Sequence, residues 1–148
     1  MQGIIDYAKG IFDTVGAVKN KKVFLILGLA SRPDRDVDVF RSCDGQLKFF
    51  GFEKYFGNPT NSLIAELAKR GFSAHQERYS RLNIKEMAVQ AGIGCWGKNS
   101  LVIHPRFGPW LRFVAVETNA PIEPTSQKVP DLCGACDACL KACPVKGL

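Results

Sequence analysis

Four of the chain's six cysteines fall within eleven residues, Cys133-Gly-Ala-Cys136-Asp-Ala-Cys139-Leu-Lys-Ala-Cys143-Pro144. This is the C-x2-C-x2-C-x3-C-P spacing that ligates a [4Fe–4S] cluster in bacterial proteins. Two-residue gaps let a tight turn bring three thiolates to one cubane. The small residues Gly134, Ala135 and Ala138 let backbone amides approach the cluster sulfides, a contact that helps set the reduction potential. A disulfide framework would need a secreted context. The start, Met1-Gln-Gly-Ile-Ile-Asp6, lacks the basic and then apolar stretches of a leader, so a cytoplasmic protein is expected. Zinc is the competing metal, because sets of thiolates suit it too. Zinc motifs, however, usually pair two cysteine knuckles across a longer loop. Three sources of a fourth cluster ligand stay open: Cys143 itself, Cys43 or Cys95 from upstream, or a cysteine beyond Leu148.

The 148 residues suit one core, and 46% hydrophobic with 23% charged residues is ordinary globular composition. The longest apolar run, Val23–Ala30, is far short of the ~20 residues a membrane helix needs. Net charge is +6 and is concentrated. Lys69, Arg70, Arg78, Arg81, Lys85, Lys98, Arg106 and Arg112 face only Glu77 and Glu86 in their segment, and the rest of the chain balances. A basic face suits an anionic partner: a phosphate, an RNA or an acidic redox protein. The competing reading is a solvated surface.

Ile4, Ala8, Ile11 and Val15 keep helical spacing and predict a helix over 3–15. Residues 23–28 read as a buried strand ending at Gly28. A helix over 61–70 is punctuated by Asn58-Pro59 before it and Lys69-Arg70-Gly71 after it. Asn83 with Glu86 resembles a capping box that opens a further helix, which Gly92 closes. Ser100–His104 and Leu111–Thr118 read as strands with Gly108-Pro109 in the turn between them. Pro121, Pro124 and Pro130 mark an extended connector to the cysteine run. Residues 31–59 carry no readable periodicity.

Gly92-Ile-Gly94-Cys-Trp-Gly97 spells G-x-G-x-x-G, but it closes a helix where a dinucleotide fingerprint would open one. Gly92 through Lys98 also fits G-x-x-x-x-G-K, with Asn99 standing where a magnesium-binding Ser or Thr belongs. The wider stretch is more informative. Ala88-Val-Gln-Ala-Gly-Ile-Gly-Cys-Trp-Gly-Lys-Asn-Ser-Leu101, then His104-Pro-Arg-Phe-Gly108, Glu117-Thr-Asn-Ala-Pro-Ile122 and the cysteine run follow in an order that resembles the epoxyqueuosine reductases. These are cobalamin-dependent iron–sulfur enzymes of queuosine-tRNA synthesis. The same order is similar, more loosely, to the C-terminal half of reductive dehalogenases. The resemblance is clear over 84–148 and faint over 20–83.

The resemblance implies an α/β (α+β) chain, with a flavin-reductase or nitroreductase-like core over 1–120 and a ferredoxin-like [4Fe–4S] segment over 121–148. It implies Cys133, Cys136, Cys139 and Cys143 as metal ligands and a corrinoid or flavin between the two parts. Gly92, Gly94, Gly97, Lys98 and Asn99 would then line the cofactor pocket. Partners implied are a redox protein or a small-molecule substrate, with tRNA open through the family and the basic segment; no membrane is expected. The chain departs from the family at one decisive place. Arg78 stands where the family keeps a catalytic acid, and a guanidinium cannot give up a proton near neutral pH. Epoxyqueuosine reduction is therefore not expected from this chain. The alternative function is a nucleic-acid-binding module whose cysteines hold a structural metal.

Overall fold

The apolar run lies at the centre of the molecule. In a computed structural model, which describes residues 2–77, 82–125 and 127–147, Lys22–Ala30 is strand β2, flanked by β1 (Thr14–Asn20) and β8 (Leu111–Thr118). A short strand β5 (Ala74–Gln76) completes a four-stranded sheet of order β1-β2-β8-β5. Every neighbouring pair in it is antiparallel, with Leu25 opposite Ala17 on one side and Val116 on the other.

Alternation along β2 explains why the run is continuously apolar. Val23, Leu25, Leu27 and Leu29 point to one face, where they meet Ile4 and Ala8 of α1 (Gln2–Lys9) and Leu63 and Leu67 of α3 (Asn58–Lys69). Phe24 and Ile26 point to the other, where they meet Ile84 and Ala88 of α4 (Ile84–Gln90) together with Ile93, Val102 and Phe113. A strand covered on both faces has no solvent side to make polar. Leu25, Ile26 and Leu27 are fully buried, and each such side chain contributes about 1.5–3 kcal/mol.

The expected helix over 3–15 is shorter: α1 ends at Lys9, and residues 14–20 pair with β2 instead. The register Thr14 to Gly28 through Asn20 to Lys22 satisfies a full ladder of backbone groups, which outweighs the helical spacing of Val15. The helix expected at 61–70 begins earlier, at Asn58, with Pro59 in its first turn. The strand expected over Ser100–His104 narrows to β7 (Val102–Ile103). The unread stretch holds a hairpin of β3 (Arg41–Cys43) and β4 (Gln46–Lys48). A short helical turn, α2 (Phe50–Phe52), and a π-helical turn over Glu53–Gly57 then lead into α3. None of the described helices is long and apolar enough to cross a membrane.

Candidate iron–sulfur and cofactor site

Helix α4 starts as its sequence predicts. The Asn83 side-chain oxygen accepts the Glu86 backbone N–H at 3.2 Å. The Glu86 carboxylate does not complete a reciprocal cap; it accepts instead from Trp96 Nε1 at 3.1 Å. Gly92 ends the helix at φ +69°, the left-handed conformation that favours glycine. Behind it lies the connector, so close that a Cβ on Gly92 would sit 1.9 Å from the Gln127 carbonyl oxygen.

After Gly92 the chain forms a small hairpin, β6 (Cys95–Trp96) against β7, with Cys95 opposite Ile103. Its tip is tight: Gly97 N–H donates to Leu101 O at 2.8 Å, and Asn99 Oδ1 accepts from Leu101 N–H at 3.2 Å. A Cβ on Gly94 would lie 2.5 Å from Ile103 O. The glycines of the G-x-G-x-x-G stretch thus permit close packing of helix end, hairpin and connector.

Thr125 fixes the connector. Its hydroxyl accepts the Ala17 N–H at 3.0 Å and donates to Ala91 O at 2.6 Å, joining the sheet edge to the end of α4. Beyond it the cysteine run lies against the hairpin. Lys98 Nζ donates to Gly134 O at 2.8 Å and to Cys136 O at 2.9 Å. The Leu132 N–H points at the sulfur of buried Cys95, 3.4 Å away. Within the run, Cys136 N–H donates to Cys133 O at 2.8 Å, and the Asp131 carboxylate accepts the N–H groups of Cys133 and Gly134. The Gly147 N–H meets Cys143 Sγ at 3.4 Å. Cys133, Cys136, Cys139 and Cys143 lie around α5 (Ala138–Ala142), none of them in a disulfide. Four solvent-accessible cysteines outside any disulfide, one of them with a backbone amide directed at its sulfur, are a donor set whose chemistry fits an iron–sulfur cluster.

A cavity of about 470 Å³ opens on the α4 face of the sheet. Phe49, Phe52, Leu101, Val102 and Phe113 supply apolar walls, and Lys85 and Arg112 stand at its margin. Arg112 is held by Asp38 at 2.7 Å, and Lys85 by the Ser100 carbonyl at 3.0 Å. A mostly apolar pocket with two cations in its lining has the general make-up of a small-molecule site.

The expected cofactor residues are therefore distributed. Gly92, Gly97 and Asn99 serve the turn and its packing, while Lys98 reaches the cysteine run. Gly94 borders a separate hollow of about 440 Å³ beside Cys95 and Trp96. The walls of the 470 Å³ cavity include Phe49 and Phe52, which no sequence motif singles out. Their signal was the cluster Phe40, Phe49, Phe50, Phe52 and Phe56; Phe40 stacks on Phe49 at 4.5 Å and Phe52 packs on Phe56 at 4.7 Å. Cys95 is placed beside the run, whereas the side chain of Cys43 lies outside the described part, as does Arg78.

The class these features define is an α+β protein whose C-terminal cysteine run packs against a glycine-rich hairpin. Relatives agree. Over 62 residues the chain is 47% identical to an epoxyqueuosine reductase of Listeria monocytogenes, covering 42% of this chain and 16% of that protein. Over 65 residues it is 42% identical to a tetrachloroethene reductive dehalogenase of Dehalobacter restrictus, covering 42% and 12%. An epoxyqueuosine reductase solved with a tRNA-Tyr stem loop shares the fold at a TM-score of 0.77 and 21% identity, over 98% of this chain and 52% of that one. A catabolic reductive dehalogenase follows at 0.76 and 12%, over 98% and 25%. No protein-family model matches the chain. The family this chain resembles is that of the epoxyqueuosine reductases, and the chain spans about half the length of the reductase structure.

Proposed function

We propose that the chain is an iron–sulfur redox module of the epoxyqueuosine reductase-like kind, with residues 121–148 as a ferredoxin-like segment on a nitroreductase-like core. The observation that carries this reading is the bridge from Lys98 to the carbonyls of Gly134 and Cys136. It ties the thiol-bearing turn to the hairpin whose strand β7 walls the cavity on the α4 face of the sheet. Cys133, Cys136 and Cys139 are the ligands common to one turn, with Cys143 as the fourth. A bound [4Fe–4S] cluster supplies reversible one-electron transfer.

The chain's own residues do the rest. Asp131 holds the N–H groups of Cys133 and Gly134 and so shapes the turn; the Gly147 amide directs a proton at Cys143 Sγ. Phe49, Phe52 and Phe113 give the cavity apolar walls that would exclude water from a bound corrinoid or flavin, and Lys85 and Arg112, each fixed by its own hydrogen bond, would set the charge of the lining. Electrons come from a redox partner protein and leave to a small-molecule substrate. That substrate is not assigned as epoxyqueuosine, because Arg78 replaces the acid that the resemblance calls for.

An RNA partner is the second reading, since an epoxyqueuosine reductase neighbour holds a tRNA stem loop. Internal bonding of the basic segment weakens it. Arg70 pairs with Glu66, Arg112 with Asp38, and Lys85 and Lys98 donate to backbone carbonyls. Changing Cys133, Cys136 or Cys139 to Ser one at a time tests the proposal. Each variant should lose or degrade the visible chromophore of the reconstituted protein. Full iron and sulfide in all three would overturn it.

A further inference from the structure

At the edge of the sheet, away from the cysteines, β5 and β8 set three metal-ligating side chains on one face. His75 lies directly opposite Glu117 in the strand ladder, and Glu77 follows two residues on, where the alternation of the strand returns to the same face. The Glu77 N–H still donates to Ala115 O at 2.9 Å, so the backbone carrying it is held to the sheet. The donor atoms of His75, Glu77 and Glu117 all lie within 4.8 Å of one another, and His75 Nε2 is 2.8 Å from Glu77 Oε1. Both carboxylates are largely buried, at 14% exposure, whereas the imidazole is 59% exposed. A hollow of about 550 Å³ opens over His75 and Glu117, with room for water.

Lys22 stands beside these donors, with its ammonium 2.5 Å from Glu117 Oε1 and 63% exposed. It delivers one charge to one oxygen and is free to swing outward. Lys19 and Lys21 border the same hollow and oppose a cation there.

We propose that His75, Glu77 and Glu117 form a binding site for a divalent first-row metal ion, with Lys22 as the group the ion displaces. One imidazole and two carboxylates, without thiolate, match the ligand preferences of Mn²⁺, Fe²⁺ or Zn²⁺. Water completes the coordination from the hollow. Lys22 then acts as a resident competitor that keeps the site neutralised when the ion is scarce.

The test uses the full chain with its cysteine run reconstituted, and Mn²⁺ as probe, because thiolates bind this hard ion poorly. Binding is read as loss of the free Mn²⁺ electron paramagnetic resonance signal. One ion per chain is expected. His75→Ala and Glu117→Gln should each weaken binding by more than about tenfold, by analogy with the cost of disturbing a metal's supporting groups. Lys22→Met should tighten it. His75 is exposed on a short edge strand, so its removal leaves the core intact and a loss of binding cannot be ascribed to unfolding. No binding at millimolar Mn²⁺, binding indifferent to His75→Ala, or binding lost only in Cys133→Ser would overturn the proposal.

Discussion

Gly92 joins two demands at one residue: a left-handed backbone at φ +69° and a carbonyl of the connector where a side chain would begin. Gly92→Ala should cost about 1–2 kcal/mol for the backbone conformation alone, and more for moving Gln127. Denaturant unfolding checks this, and an unchanged midpoint would contradict it. His104 offers a titration at the same scale. The N–H groups of Arg106 and Phe107 both donate to its Nδ1, at 3.0 and 3.2 Å. Burial, and secondarily the Arg106 cation, lower its pKa below the ordinary 6.5, while Asp13 opposes them. A folded pKa below the unfolded one means the unfolded state binds more protons between the two values. The contribution of neutral His104 is therefore present above about pH 6.5 and is lost as pH falls through the folded pKa. Stability of the wild type should drop relative to His104→Asn over that window, read from urea midpoints. Parallel pH curves for the two proteins would refute the assignment.

Elements differ in how openly their residues declare them. Helices α3 and α4 carry local punctuation in Pro59, Asn83 and Gly92, and strands β2 and β8 carry long apolar runs, so all four are legible in the sequence. Strand β1 is not, because Ile4 through Val15 keep helical spacing and only pairing with β2 decides the matter. Strands of two or three residues, such as β5 and β6, are too short to show any period. The cysteine run is legible because its spacing is local. The bridge from Lys98 is not, since its partners lie 36 and 38 residues away. That bridge yields a prediction for the element it secures. Lys98→Met removes two exposed charge-assisted hydrogen bonds, each contributing on the order of 1 kcal/mol. The cysteine turn should loosen, and the chromophore should bleach faster in the presence of an iron chelator. Bleaching at the wild-type rate would show that the turn is held by other contacts.

At the scale of the whole molecule, a sheet covered on both faces carries the α4–hairpin unit, and that unit carries the cysteine run. Thr125 is the staple between them, bonding sheet edge and helix end at once. The fold is shared along 98% of the chain with an epoxyqueuosine reductase about twice its length and with a reductive dehalogenase about four times its length. The proposed redox function depends on the thiols holding an iron–sulfur cluster and not zinc. Anaerobic reconstitution of the full chain, followed by iron, sulfide and zinc analysis and electron paramagnetic resonance after reduction, answers that directly. The account predicts a brown protein with about four iron and four sulfide per chain and a resonance that appears on one-electron reduction. A colourless protein that retains zinc and takes up no sulfide would contradict it.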